Sequence, residues 1–255
     1  MNSNDCALTS GRWKRKLEMQ SQSDPRYALK LLKRLERMVE LEHVHTEIAG
    51  TSYPWARVVN PDQVLEQTLR NEQPESASID PFWAATWRAA QGLDRFLGTL
   101  QLPTDSRILE LGGGSGRAGI SAALRGASVC ITDASRMALI MCRFNARFVS
   151  DRVTVRKLDW ANLAGFHERF PIVLGSDIVY NPSLYPILEP CMRQVLEPNG
   201  VVLLSEPQRH TGDRFENWIR QAGWQCDSCL IDLKDGQREI RIFQCTLNPL
   251  KEFAS

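Results

Sequence analysis

Residues 107–119 read Arg-Ile-Leu-Glu-Leu-Gly-Gly-Gly-Ser-Gly-Arg-Ala-Gly, and this stretch decides the fold. The apolar run from Ile108 to Leu111 gives way to four glycines within the five positions 112–116, and an apolar helical pattern follows from Ile120. Glycine permits positive φ and lets a backbone approach a ligand closely. The first turn of a helix offers unpaired N–H groups to an electron-rich ligand. The stretch therefore predicts a strand, a tight glycine turn and a helix that together form a ligand site.

Two interpretations of this turn are open. Gly114 to Gly119 matches the dinucleotide fingerprint GxGxxG, and Asp133 follows near the distance expected of a ribose ligand. Glu110 to Gly116 instead resembles motif I of the seven-strand S-adenosylmethionine methyltransferases, in which an acid ends the strand. A carboxylate suits a cationic, amino-acid-bearing cofactor better than a pyrophosphate, so Glu110 favours S-adenosylmethionine. The turn lacks the Lys-Ser/Thr pair of a Walker loop, which argues against a nucleotide triphosphatase.

The bulk composition is that of a globular protein. The chain has 255 residues, of which 43% are hydrophobic and 24% charged, enough for one large or two small domains. A net charge of +1 gives no global attraction for nucleic acid or an anionic membrane. No apolar run approaches the roughly 18–20 residues of a membrane helix, and the N-terminus lacks a signal-peptide core. The seven scattered cysteines are typical of reduced thiols. We expect a cytoplasmic protein without a nucleic-acid or membrane partner, and its oligomeric state stays open.

The region ahead of the glycine turn is predicted to be a separate extension. Residues 1–24 are expected to be a disordered polar tail, and residues 25–79 an extension of helix, hairpin and short helix. Asp24-Pro25 begins the first helix, which runs to residue 41, because a capping residue followed by proline is a helix start. Ala49-Gly50-Thr51 lies between two alternating segments, which predicts a β-hairpin.

The main domain is predicted over residues 80–248. After a polar surface loop at 71–78, Asp80-Pro81 begins a helix whose apolar stripe runs to Leu97. Strand and helix patterns then alternate, which predicts an α/β fold with a Rossmann-like, doubly wound sheet of seven mostly parallel strands. The last two strands flank Lys234-Asp235-Gly236 and add an antiparallel C-terminal hairpin.

Successive predicted strands each end in an acid. These acids are Glu110, Asp133, Asp159 and Asp177. Ligands of doubly wound sheets bind at the carboxyl ends of the strands, so we expect these side chains along one edge. Asp133 can accept hydrogen bonds from both ribose hydroxyls. Asp159 can accept from an adenine amino group, and Trp160 beside it offers a flat face for stacking. Any one of these acids alone would also serve as a helix cap or a surface turn.

The ordered set of motifs is similar to that of the seven-strand methyltransferases over roughly residues 40 to 246. Asp80 to Trp87, which reads Asp-Pro-Phe-Trp-Ala-Ala-Thr-Trp, looks like the protein lysine and N-terminal amine methyltransferase branch, methyltransferase family 16. That branch includes the electron-transfer-flavoprotein lysine methyltransferases. Its Asp-x-x-Tyr motif corresponds to Asp177–Tyr180 and its Glu/Asp-Pro to Glu206-Pro207. Arg88 departs from the pattern, because the branch usually has proline there.

The resemblance implies a set of site residues. The cofactor would be S-adenosylmethionine, and no metal site is implied. Glu110, Gly112 and Gly114 would line the methionine part of the cofactor, with Trp87 packed over it, and Gly116 of the same turn would also bind the cofactor. Asp133 would bind the ribose, Asp159 and Trp160 the adenine, and Ser176 would contact the cofactor through its backbone. Asp177 and Tyr180 would be catalytic and would face the entering amine.

The activity implied is methyl transfer to a protein lysine or another amine nitrogen. Three alternatives stay open at this point: a small-molecule N-methyltransferase, an NAD(P)-dependent oxidoreductase and a non-catalytic binding module. The sequence names neither the acceptor nor the degree of methylation. Among weaker signals, Cys226 and Cys229 form a single CxxC, for which two incidental thiols are favoured over zinc. His210 lies after the fifth strand and is either a pocket residue or a surface residue.

Overall fold

A computed structural model describes residues 24–70 and 81–247 of the chain. The predicted tail, apart from Asp24, and the predicted loop at 71–78 lie outside the described residues. Helix α1, Pro25–Glu36, begins as predicted, with the Asp24 side chain accepting the N–H of Arg26 at 2.9 Å. It ends before the predicted residue 41, and the N–H groups of Met38 and Val39 both donate to the Leu35 carbonyl just after its C-terminus.

The predicted hairpin follows this helix. Strands β1, Leu41–Ile48, and β2, Thr51–Val58, pair antiparallel across a two-residue turn. Both turn residues, Ala49 and Gly50, have positive φ (54° and 74°), which is typical of a tight type I′ turn. Helix α2, Pro61–Arg70, confirms the predicted short helix.

The helix predicted to run continuously from Asp80-Pro81 is wrong. Asp80 is not among the described residues, and Pro81–Ala84 forms a short 3-10 turn. Helix α3, Arg88–Leu97, begins only after Trp87, whose backbone is extended (φ −83°, ψ 138°). The Trp87 indole N–H donates to the carbonyl of Phe82 at 3.0 Å. This bond fixes Trp87 between the two helical pieces, away from the buried stripe of α3.

The remaining elements alternate along the chain as predicted. Their bounds are β3 Arg107–Leu111, α4 Arg117–Leu124, β4 Ser128–Asp133, α5 Arg136–Asn145, β5 Val153–Lys157, β6 Phe170–Ser176, α6 Tyr185–Val195, β7 Leu196–Glu206, α7 His210–Gln221, β8 Trp224–Ile231 and β9 Ile240–Leu247. The seven-stranded sheet has the order β5-β4-β3-β6-β7-β9-β8. Strands β3 to β7 are parallel, and β9 is antiparallel to both of its neighbours. The predicted seven-stranded fold with a C-terminal antiparallel hairpin is therefore confirmed.

Side chains alternate between two apolar layers, one on each face of the sheet. Leu109, Val173 and Leu204 belong to the layer that includes residues of α6 and α7. Ile108, Leu174 and Leu203 belong to the layer that includes residues of α3 and α4. Strands β4 and β5 lie on one side of β3, and β6 lies on its other side. The strand order therefore reverses between β3 and β6, and this is the switch point at which ligands bind in such folds.

Two buried polar side chains attach the hairpin to the domain. Asn145 accepts from the Ala56 N–H at 3.0 Å and donates to the Ala56 carbonyl at 3.1 Å and to the Ser115 carbonyl at 3.2 Å. It thereby joins β2 to the glycine turn. Asp94 of α3 accepts from the Ala49 N–H at 3.1 Å, which joins the hairpin turn to α3.

Asp94 is also the centre of a buried charge cluster. Its carboxylate accepts from the Ser121 hydroxyl at 2.5 Å, from Arg125 at 3.0 Å and from Arg117 at 3.4 Å. The side chains of Arg117 and Asp94 are only 8% and 10% exposed. The cluster therefore binds α3 to α4 below the hairpin. Within residues 24–70 and 81–247, no helix combines the length and the apolar character needed to cross a bilayer.

Candidate active site

The glycine turn after β3 packs closely against other segments of the chain. Gly112 and Gly114 have φ of 61° and 53°, a region that favours glycine. A Cβ on Gly112 would lie 2.9 Å from Ile178 and 3.0 Å from the Trp160 ring. The turn at Pro81–Ala84 passes close by, since a Cβ on Gly114 would lie 3.7 Å from the backbone of Trp83. Residues from three other segments of the chain thus approach this turn.

Glu110 supports the turn from beneath. Its side chain is fully buried, and its Oε2 accepts from the Gly119 N–H, in the first turn of α4, at 2.9 Å. The other oxygen, Oε1, is buried and has no hydrogen-bond partner among the described residues. Burial raises the pKa of Glu110 to about 8, although the Gly119 bond acts in the opposite direction. Its predicted contact with a cofactor stays a prediction.

The Asp133 carboxylate lies at the edge of the same turn. One oxygen accepts from the Gly114 N–H at 2.9 Å and the other from the Ser135 N–H at 2.8 Å. Gly116, with φ of 89°, is the N-cap residue of α4 and completes the turn. Asp133 therefore fixes the turn and the start of α5 together, and its contact with a ribose stays a prediction.

The residues predicted at the adenine follow β5. Asp159 is exposed and accepts from the Ala161 N–H at 3.0 Å, which closes a local turn. Trp160 is half-buried and its ring lies against the Gly112 backbone. The structure therefore brings Trp160 to the glycine turn and leaves the Asp159 side chain at the rim.

Asp177 ends the central strand β6 next to Ser176. Its φ of 55° is left-handed, and its N–H donates to the Ser205 carbonyl at 2.8 Å. Its carboxylate, only 4% exposed, is paired with both terminal nitrogens of Arg209, one of them Nη2 at 3.1 Å. Burial raises the pKa of Asp177, and the Arg209 guanidinium opposes this shift. The left-handed backbone and the ion pair with Arg209 together hold the Asp177 carboxylate at the edge of the sheet.

Three aromatic rings from two segments of the chain contact one another near Asp177. The Phe82 ring lies edge to face with Tyr180, at 5.5 Å between centroids, and with Trp87, at 5.9 Å. The Arg209 guanidinium lies 5.8 Å from the Trp87 ring centroid. A cavity of about 400 Å³ opens here, and Trp87, Asp177 and Arg209 contribute to its wall. An apolar surface and a buried carboxylate thus face one space.

The predicted site residues therefore form two adjoining groups. Gly112, Gly114, Gly116, Asp133 and Trp160 form or contact the glycine turn, and Trp87 and Asp177 line the cavity, while the Tyr180 ring contacts Phe82, which packs on Trp87. Ile178 joins the two groups because it follows Asp177 in the chain and contacts Gly112. The roles assigned to these residues stay predictions.

Sequence reasoning weighed His210 and missed its neighbour. His210 is a surface residue with a 77% exposed side chain, whereas Arg209 reaches Asp177 and the cavity. The sequence did contain a signal for Arg209. This arginine closely follows Glu206-Pro207 at the end of β7, and therefore lies at the same sheet edge as the predicted acids. Phe82 was also missed, although it lies within the stretch Asp80–Trp87.

The CxxC thiols lie on opposite faces of β8. Cys226 packs in the layer that contains Leu109, and Cys229 packs against the layer that contains Ile108. Cys226 instead lies opposite Cys245 on β9, with 3.4 Å between the sulfurs. This arrangement fits two packing thiols, because zinc ligands must converge on one point.

The chain is similar to known methyltransferases in both sequence and fold. A model of the family described as lysine methyltransferase matches residues 66–221, more than half of the chain. The zebrafish (Danio rerio) protein N-lysine methyltransferase METTL21A is 32% identical over 174 residues, which are 65% of this chain and 78% of that protein.

Two frog proteins are also similar. The Xenopus tropicalis METTL21A is 35% identical over 51% of this chain and 63% of its own length. The Xenopus laevis electron transfer flavoprotein beta subunit lysine methyltransferase is 36% identical over 51% of this chain and 54% of its own length. These matches therefore span about half to two thirds of the frog proteins.

Solved structures give the same fold. The glycopeptide N-methyltransferase MtfA, complexed with S-adenosylmethionine, superposes with a TM-score of 0.56 over 63% of this chain and 94% of MtfA. Its identity is 16%, so this likeness concerns the fold alone.

Proposed function

Because this chain belongs to the lysine methyltransferase family, we propose that it transfers a methyl group from S-adenosylmethionine to a lysine nitrogen of a protein. The observation that carries this proposal is the contact of the Asp-x-x-Tyr segment with the glycine turn. Ile178, next to Asp177, lies 2.9 Å from the position of a Cβ on Gly112. A donor bound at the turn and an acceptor in the cavity would therefore be neighbours.

The glycine turn fits an adenosyl cofactor. The absence of a Cβ at Gly112 lets the Trp160 ring lie against the turn, and that ring offers a flat face suited to adenine. The other proposed contacts are Asp133 with the ribose, Asp159 with the adenine amine, Ser176 through its backbone, Trp87 over the methionine part, and Gly112, Gly114 and Gly116 along the turn that Glu110 supports. When bound, S-adenosylmethionine supplies a methyl group on a sulfonium, which is a good leaving group.

The cavity residues are suited to a lysine amine. This nucleophile must be neutral, while its ordinary pKa is about 10.4. The rings of Phe82, Trp87 and Tyr180 would exclude water, and desolvation lowers the pKa of an amine. The Asp177 carboxylate would accept a hydrogen bond from the amine and orient its lone pair, with the Tyr180 phenol beside it. Holding nucleophile and methyl in line is worth up to roughly 7–11 kcal/mol.

The acceptor class follows from the relatives. The zebrafish and frog relatives bear the name protein N-lysine methyltransferase, which supports a protein lysine over a small amine. We also propose a cytoplasmic location, supported by seven scattered cysteines that are typical of a reducing compartment. Fractionation of cells that carry the tagged protein tests the location.

Two measurements test the function. Calorimetry with S-adenosylhomocysteine, NAD(H) and NADP(H) should give binding of the first ligand only, and the opposite result would make the protein an oxidoreductase. Labelled S-adenosylmethionine added to a cell lysate with the enzyme should leave its label in precipitated protein. Label in the soluble small-molecule fraction would indicate a small-molecule acceptor, and binding without any labelled product would indicate a non-catalytic module.

The roles of Asp177 and Tyr180 are tested by Asp177→Asn and Tyr180→Phe. We expect methylation to fall about a hundredfold, as for loss of a proton-handling group. Affinity for S-adenosylhomocysteine should stay within about threefold, because neither side chain is proposed to bind the cofactor. Wild-type rates in both variants would remove these residues from the mechanism.

A further inference from the structure

Arg209 already holds the carboxylate that the proposed function gives to the substrate amine. Both terminal nitrogens of its guanidinium pair with Asp177, and it lies near the Trp87 ring. A lysine ammonium that enters the cavity brings a second cation to the same buried acid. Because both oxygens of Asp177 already bond Arg209, the substrate lysine competes with Arg209 for this carboxylate. This inference rests on the proposed function and concerns the choice of substrate.

The position of Arg209 is fixed by its backbone. Its N–H donates to the Glu206 carboxylate at 2.7 Å, and the other Glu206 oxygen accepts from Arg241 at 2.6 Å. The preceding residue, Gln208, has a φ of 53°, and its amide donates to the Glu239 carbonyl at 3.0 Å. Because the loop is held at both ends, an Arg209 guanidinium released from Asp177 stays near the cavity.

The cavity offers a released Arg209 no other anion among the described residues. The other charged side chains of its wall are Arg88 and Arg238. Arg88 is paired through two 2.8 Å bonds with Asp235, and the guanidinium of Arg238 has no carboxylate partner in the part of the chain that is described. A released Arg209 would therefore face two further arginines. The Arg209 side chain is 38% exposed, so water offsets part of the cost of leaving its guanidinium without an anion, while repulsion from the neighbouring arginines adds to that cost.

We propose that Arg209 is a specificity-determining residue that selects a lysine with an acidic neighbour. The substrate lysine replaces Arg209 at Asp177, and an aspartate or glutamate of the substrate replaces Asp177 at Arg209. While the entering lysine is still an ammonium, this exchange of partners leaves the number of ion pairs unchanged, and Arg238 adds attraction for the same acid. A lysine without an acidic neighbour leaves Arg209 unpaired and is disfavoured.

The experiment begins with the intact enzyme and a native cell lysate. Labelled lysines are mapped by mass spectrometry, and the acid nearest the principal site is replaced in the purified substrate by its amide. Values of kcat and KM are then measured for wild type, Arg209→Gln, Arg209→Lys and the control Arg57→Gln. Arg57 is exposed and pairs with Glu42 on the hairpin, so its loss removes a surface ion pair only. Thermal unfolding and S-adenosylhomocysteine binding establish that each variant is folded.

We expect the amide substrate to lose about tenfold or more in kcat/KM with wild type and with Arg57→Gln, mostly through KM. The same change should cost Arg209→Gln less than about threefold. Arg209→Lys should retain most of the preference, because it keeps the cation. A principal site without an adjacent acid, or an equal loss in wild type and Arg209→Gln, would overturn the proposal for Arg209. Absence of label from every lysine would instead count against the proposed function itself.

Discussion

Glu110 and Gly119 are joined by a hydrogen bond of 2.9 Å that connects the end of β3 to the first turn of α4. The acceptor is a fully buried carboxyl group whose other oxygen has no partner among the described residues. A carboxyl group in this position keeps its proton to a higher pH than one in water, because the charged form loses its hydration. The glycine turn therefore rests on a group that titrates near neutral pH.

The first prediction concerns pH and stability. Burial raises the pKa of Glu110 from 4.5 to about 8, so the folded protein binds this proton more tightly than the unfolded chain. The contribution of Glu110 to the free energy of unfolding is then fully present below pH 4.5 and decreases as the pH rises towards 8, by at most about 1.4 kcal/mol per pH unit. Glu110→Gln keeps an acceptor for Gly119 and removes the titration. Urea unfolding between pH 5 and 8 should give a steeper decline for wild type, and parallel profiles would contradict the prediction.

The second prediction concerns the space at the glycine turn. Gly112→Ala places a methyl group about 3 Å from both Ile178 and Trp160 and adds the strain of positive φ. Affinity for S-adenosylhomocysteine should fall about tenfold or more, because the methyl group displaces Ile178 and the Trp160 ring that is proposed to stack on the adenine. Gly50→Ala is the matched control, since its φ is also positive and no atom lies within 4 Å of the added carbon. This control should lose roughly 1–2 kcal/mol of stability and bind the ligand normally.

The third prediction concerns the buried charge cluster. Asp94→Ala leaves Arg117 and Arg125 without their carboxylate in a nearly closed site. We expect a loss of about 3–5 kcal/mol in the free energy of unfolding. Asp105→Ala removes an equivalent ion pair with Arg152 at the surface, where Asp105 is 70% exposed, and should cost less than about 1 kcal/mol. Equal losses in the two variants would mean that the Asp94 cluster does not stabilise the fold.

The fourth prediction concerns the attachment of the hairpin. Asn145→Ala removes the partners of both polar backbone groups of Ala56 and of the Ser115 carbonyl. Unfolding should become easier by roughly 2–5 kcal/mol, because each buried group left without a partner costs about 1–3 kcal/mol. Hydrogen exchange should accelerate at the Ala56 amide while the central strand β6 stays protected. Unchanged exchange at Ala56 would show that β2 is held by packing alone.

Elements whose structure depends on residues close to them in the sequence were predicted correctly. The glycine turn, the Asp24-Pro25 helix start and the Ala49-Gly50 turn each follow from local backbone preferences and were confirmed. The prediction of a helix from Asp80 was wrong, because the apolar spacing that suggested it continues through Trp87. In the structure, a hydrogen bond from the Trp87 indole to the Phe82 carbonyl holds the Trp87 backbone extended. Apolar spacing does not report such a bond.

Contacts between distant segments were not predictable. Arg209 and Asp177 are 32 residues apart, and Asn145 and Ala56 are 89 residues apart. A single sequence contains no signal that pairs one arginine with one of several acids along a sheet edge. The strand order placed the acids near each other, but side-chain direction and loop geometry decided which of them faces the cavity.

The order of synthesis has a consequence for strand β9. The ribosome delivers β8 before β9, yet β9 lies between β7 and β8 in the finished sheet. Until residues 240–247 emerge, β7 is an unpaired edge of the sheet and β8 has no strand to pair with. Unpaired strand edges can form hydrogen bonds with other chains. The nascent protein therefore completes its sheet late, and chaperone capture during translation should be strongest just before Ile240 leaves the exit tunnel.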